Sequence, residues 1–170
     1  MLAPETSHAL SFTVDSATVN VNDTFFINLN VDIEGADLTS WQFDVSFNPI
    51  LLQANTVTEG SFLSSFGTTL FTPDVIDNTT GLISLVATLF VDLPPNPNWS
   101  GVLASIEFTA LQAGTSPLTA SNVFLNGLDS GFTVTSGTVC VNGASACDAG
   151  GGTVPEPSTI WLLSLGGLLV

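Results

Sequence analysis

Trp41-Gln42-Phe43-Asp44-Val45-Ser46-Phe47-Asn48-Pro49-Ile50-Leu51-Leu52 decides the fold. Trp41, Phe43, Val45 and Phe47 alternate with Gln42, Asp44, Ser46 and Asn48. Successive side chains of a strand point to opposite faces, so the alternation puts four large apolar groups on one face and polar groups on the other. That is a half-buried strand with Trp41 opening its core face. Asn48-Pro49 ends it, because proline has no N–H for a ladder and restricts the residue before it.

The pattern repeats outward in both directions. Upstream, residues 10–14 alternate as a first strand and Asn20 to Asp23 read as a turn. Residues 25–33 set Ile27, Leu29, Val31 and Ile33 against Asn28, Asn30 and Asp32, and 34–37 turn the chain. Downstream, 50–57 read as a short strand, followed by Gly60-Ser61-Phe62-Leu63 and a Ser/Gly loop. Residues 70–76 and 82–91 read as a hairpin pair across 77–81, the second apolar on both faces, as a central sandwich strand would be. A Pro-rich loop, 92–101, leads to strands at 102–111, 116–125 and 132–141. Nine strands with turn signals every 8–12 residues predict an all-β sandwich or jelly roll. No window of helical periodicity precedes the C-terminal tail, and no internal repeat stands out.

Composition narrows the function. The 170 residues make one domain with tails. Lys+Arg is 0 against 15 Asp+Glu, a formal net charge of −15. Phosphate neutralisation, and with it nucleic-acid binding, is excluded, as is electrostatic attachment to anionic lipid. Divalent cations and partners with positive surfaces are what this field attracts. The lone histidine, His8, lies near the N-terminus, and no Lys, Arg or Tyr exists to stabilise a developing anion. A paired-carboxylate glycosidase is conceivable on charge alone, but most acids occupy turns or outward positions. No enzyme is expected.

The central stretch resembles the signature strand of cohesin-like domains, in which an aromatic-alternating strand ends in Asp/Asn-Pro followed by leucine. Gly60-Ser61-Phe62-Leu63, Gly81-Leu82-Ile83, the run from Gly101 to Ala110, Gly114-Thr115-Ser116-Pro117-Leu118 and Gly137-Thr138-Val139 fit the family's later turns and strands in order. The resemblance implies a nine-stranded jelly-roll sandwich, related in fold to carbohydrate-binding modules, over residues 10–143. It also implies dockerin modules of polysaccharide-degrading assemblies as partners.

Val154-Pro155-Glu156-Pro157-Ser158-Thr159, followed by a Leu/Gly-rich segment, resembles the PEP-CTERM sorting signal of exported bacterial proteins. The run from Ile160 to Val170 has 11 residues, short of the about 20 that a spanning helix needs. Core helix, truncated anchor and processing signal are the three explanations. Two prolines and a Gly-rich linker, 144–153, argue against the first. In that family a basic cluster closes the signal and an exosortase-type membrane protease removes it; this chain ends inside the apolar segment. The resemblance implies export to a bacterial cell envelope, surface or matrix, with transient membrane association through a short apolar helix in 154–170. Residues 1–9, ending Ser7-His8-Ala9, are expected to be a signal-peptide remnant or a disordered N-terminus.

Smaller constellations remain. Cys140 and Cys147 bracket an Asn142-Gly143 turn and are candidates for a disulfide; two thiols alone do not make a zinc site. Asp32, Glu34 and Asp37, or Asp74, Asp77 and Asn78, are candidate calcium ligands, against the commoner reading of solvated turn acids. Trp99 is a candidate stacking platform for a sugar, against a loop tryptophan folded over the sandwich edge. Three Asn-X-Ser/Thr matches, at Asn22, Asn78 and Asn98, are taken as chance. The first functional expectation is an exported, non-enzymatic protein binding polysaccharide or a surface protein. A dockerin-binding cohesin is the alternative, and a glycan-active enzyme ranks last.

Overall fold

The computed structural model describes residues 10–33, 38–73, 75–91, 100–126 and 131–143. It is a sandwich of two sheets. The strands are β1 (Ser11–Val14), β2 (Ala17–Asn20), β3 (Thr24–Asp32), β4 (Ser40–Ser46), β5 (Leu52–Glu59), β6 (Thr69–Thr72), β7 (Ile76–Asp77), β8 (Leu82–Phe90), β9 (Ser100–Ala110), β10 (Gly114–Leu125), β11 (Thr133–Thr135) and β12 (Gly137–Asn142). One helical turn, α1 (Ser61–Ser64), interrupts them. The smaller sheet runs β11-β1-β3-β9-β5; the larger runs β2-β12-β10-β4-β8-β6, with β7 also on β8.

Nine segments are expected and nine are present, but three are each broken in two. The first and last change sheets halfway. β1 pairs with β11 in the smaller sheet, and β2 pairs with β12 in the larger, both in parallel. The crossing is tight. A Cβ on Gly137 would lie 2.1 Å from the Asp15 carbonyl oxygen, so only glycine fits. Thr138 N–H donates to Ser16 Oγ at 3.0 Å across the same point. β2 was absent from the expected strands because it is short and half-exposed throughout.

Alternation does what the sequence predicts on β3 and β4. Ile27, Leu29, Val31 and Ile33 are buried, as are Trp41, Phe43, Val45 and Phe47. Phe43 stacks on Trp41 at 5.1 Å and meets Phe12 of the opposite sheet at 5.4 Å. Asn48-Pro49 closes β4 as expected. Asn48 Oδ1 accepts the Ile50 N–H at 3.0 Å, and its carbonyl accepts from Leu51 and Leu52. That turn delays the next strand, which begins at Leu52 rather than residue 50.

Two expectations need correction. The segment read as turn and loop contains α1, whose Phe62 and Leu63 are buried; four residues are too few to show helical periodicity. β8, expected to be buried on both faces, is buried on one only. Ile83, Val86 and Phe90 point inward, while Leu82, Leu85 and Leu89 are exposed.

Residues 1–9, 34–37, 74, 92–99, 127–130 and 144–170 lie outside the described residues. So do Trp99, Glu34, Asp37, Asp74, Cys147, the linker 144–153 and the tail 154–170, where a short helix is expected.

Candidate docking face

β8 points to the site. Burying leucine is favourable by roughly 1.5–3 kcal/mol, so several leucines left in water on one strand invite a functional explanation. The outer face of β10-β4-β8-β6 carries Phe124 at 58% exposure, Leu70 at 61%, Leu89 at 50%, Leu85 at 47% and Leu82 at 37%. The other exposed large hydrophobics among the described residues, such as Val21, Phe26, Ile50 and Val134, are scattered over separate elements.

Strand register orders this face into rows. Ser40, Leu89 and Leu70 lie opposite one another on β4, β8 and β6. The next row is Phe124, Gln42, Ala87 and Thr72 across β10, β4, β8 and β6. Asp44 occupies the third row between β10 and β8, and Ser46 opposite Leu82 the fourth. The first two rows border a shallow depression of about 240 Å³, where Leu70, Leu89 and Phe124 stand beside Gln42 and Thr72. A flat face with leucines, an aromatic ring and a few amides suits a protein partner's helix or strand.

Among the described residues, no catalytic arrangement accompanies it. The one carboxylate central to the face, Asp44, accepts hydrogen bonds from the Leu85 N–H at 2.8 Å and the Asn122 side-chain amide at 2.5 Å. Glu59, at the end of β5, accepts from Thr69 Oγ1 at 2.9 Å and Thr88 Oγ1 at 3.3 Å, tying one sheet to the other. Both acids have structural partners.

Of the candidate calcium ligands, Asp32, Asp77 and Asn78 lie among the described residues. Asp77 Oδ1 accepts from the N–H groups of Thr79 and Thr80, and Oδ2 from Thr80 Oγ1. The Thr80 hydroxyl, then these backbone donors, hold the Asp77 carboxyl below its usual value. Asn78 is spent on Ala54, accepting from its N–H at 2.8 Å and donating to its carbonyl at 3.0 Å. Among the described residues, no three His, Cys, Asp or Glu side chains come together. Asp32 is the last residue of β3. Cys140 is half-buried on β12 and disulfide-bonded. Among the described residues, no helix is long and apolar enough to cross a membrane.

Sequence reading missed this face, although its signal was present: an apolar run on both parities of β8 indicates either double burial or one face kept for a partner.

The Cohesin domain family matches residues 10–144, and the chain belongs to it. Cohesin domains are non-catalytic protein–protein interaction modules found in extracellular, cell-surface scaffold assemblies. Among solved structures, a non-cellulosomal cohesin from the hyperthermophilic archaeon Archaeoglobus fulgidus is similar at TM-score 0.64 and 14% identity, covering 80% of this chain and 93% of that one. The third ScaC cohesin of Acetivibrio cellulolyticus, solved with the ScaB dockerin, gives 0.62 and 13%, covering 78% and 98%. The OlpC cohesin of a type I cohesin–dockerin complex from Clostridium thermocellum gives 0.61 and 14%, covering 83% and 98%. At such identities the likeness speaks for the fold. Among curated proteins, none matches the chain.

Proposed function

We propose that this domain is a docking module whose β10-β4-β8-β6 face binds a dockerin. One observation carries the reading: five large apolar side chains are left in water together on the outer face of a single sheet. Family membership gives that face its class of partner, since two of the similar cohesins are described in complexes with dockerins. Charge adds a selection. With no Lys or Arg and a net charge of −15, the domain favours a dockerin whose contact surface is basic. The polysaccharide expected first gives way to a protein partner.

The tail 154–170 is proposed as the sorting signal and the domain as an exported, surface-displayed one; intact mass of the protein from its host tests this. Loss of everything after about residue 153 supports processing, and a retained tail overturns it. We also propose that the disulfide of Cys140 is made to Cys147 and that the 32–37 turn holds a calcium ion.

Calorimetric titration with the dockerin modules encoded in the same genome tests the docking reading. The unaltered protein and Phe26→Asp, on the opposite sheet, are expected to bind alike, and Leu89→Asp to lose at least about a hundredfold in affinity. Binding by none of the modules, or equal binding by Leu89→Asp, overturns it.

A further inference from the structure

The docking face exists because two strands slip by one residue beside Asp44. The β4–β8 register shifts between Phe43 and Val45, and the β4–β10 register shifts between Ser121 and Phe124. Each shift inserts one extra residue opposite the same stretch of β4. Beyond a one-residue insertion every side chain changes face. Ile83 points inward, so an unbroken strand would also turn Leu85, Ala87 and Leu89 inward. The insertion instead buries Val86, Thr88 and Phe90 and leaves Leu85 and Leu89 outside. On β10, Leu118 and Ala120 point inward, so an unbroken strand would bury Phe124; the insertion buries Leu125 in its place.

Hydrophobicity alone does not choose this arrangement: it buries Val86, Thr88, Phe90 and Leu125 where unbroken strands would bury Leu85, Ala87, Leu89 and Phe124, sets of similar apolar size. The backbone opposes it. Leu85 has φ 53° and Asn122 has φ 50°. Asparagine tolerates the left-handed region, but leucine is rarely found there, because its Cβ crowds the following carbonyl. Something must hold both insertions. Asp44 Oδ1 takes the Leu85 N–H at 2.8 Å, and Oδ2 takes the Asn122 amide at 2.5 Å. A charged acceptor strengthens both bonds, and no Lys or Arg exists to compete for it.

Resting on the docking reading above, we propose that Asp44 is the positioning residue of the face: its carboxylate clamps both insertions and so decides that Leu85, Leu89 and Phe124 point toward the partner. It acts through those side chains.

Asp44→Ala and Asp44→Asn separate this role from a general one. Two quantities are read: affinity for the dockerin that the unaltered protein binds, and hydrogen exchange at the Leu85 amide. Asp44→Ala is expected to stay folded, to weaken binding at least about tenfold, equivalent to about 1.4 kcal/mol, and to speed Leu85 exchange. Asp44→Asn is expected to rescue both, since its carbonyl still accepts from Leu85 and its amide can donate to a flipped Asn122 oxygen. If Asp44→Ala does not fold, Asn122→Gly, which removes one arm of the clamp, is expected to lose affinity in the same direction. Unchanged affinity in Asp44→Ala, or in Asn122→Gly where that variant stands in, overturns this inference alone. Failure of the unaltered protein to bind any dockerin overturns the docking reading and this inference with it.

Discussion

Phe43 and Phe124 show how one residue type serves two ends in this domain. Phe43 is fully buried between Trp41 and Phe12. Replacing it with alanine removes the ring and leaves a cavity, so Phe43→Ala should cost about 3–5 kcal/mol in denaturant unfolding. Phe124 is more than half exposed, so Phe124→Ala should change stability by only about 0.5 kcal/mol. The same change should cost about 2 kcal/mol of dockerin binding, read by calorimetry. Asp77 offers a test by pH. Its carboxyl is held below the usual 3.8 by Thr80 first and by the backbone of the turn. A group depressed in the folded state contributes stability above its unfolded pKa and loses it as pH falls through the folded value. The contribution of Asp77 should therefore be lost as pH falls from about 3.8 downward, so the stability difference between the unaltered protein and Asp77→Ala should shrink over that range. Because this carboxylate faces solvent, the effect is small, and thermal melts at pH 5 and pH 2.5 are the comparison. What sequence alone conveyed at this scale was the core face of β4; it did not show that Asp77 caps its own turn, because that depends on where Thr79 and Thr80 point.

At the scale of elements, alternation was legible wherever a strand runs unbroken. β3 and β4 lie within two residues of their expected bounds, since period-2 burial leaves a direct mark on residue type. Broken elements were not legible. β1 and β2, and again β11 and β12, are single stretches in sequence that exchange sheets at Asp15-Ser16 and Ser136-Gly137, and only a three-dimensional crossing reveals that. The insertions in β8 and β10 escaped notice for a related reason: a single extra residue changes parity without a Gly or Pro to mark it. The sheet crossing carries its own prediction. Gly137→Ala places a methyl against the Asp15 carbonyl, so the backbones must part; we expect a loss of about 2 kcal/mol or more, with the far ends of both sheets nearly unaffected in hydrogen exchange.

For the whole molecule, the absence of Lys and Arg matters more than any single contact. Fifteen acids with no basic partner repel one another at every separation within a Debye length. Added NaCl should therefore raise the melting temperature while slowing association with a basic partner, opposite responses to one screening effect. A melting temperature that falls with salt would contradict this picture. The sandwich class was legible from composition and turn spacing, and the family from the Asn48-Pro49 strand end and the glycine-punctuated strands after it. The docking face was not, because exposure on one side of a sheet is a property of the assembled domain.

The central claim is that the partner meets the β10-β4-β8-β6 face. Hydrogen exchange of the domain, free and saturated with the dockerin that binds it, tests this most directly. The account predicts slowed exchange confined to residues 40–46, 69–72, 82–90 and 121–125, with β3 and β9 unchanged. Protection centred on β3, β9 and β5 instead, with the Leu85 and Phe124 region unchanged, would contradict it.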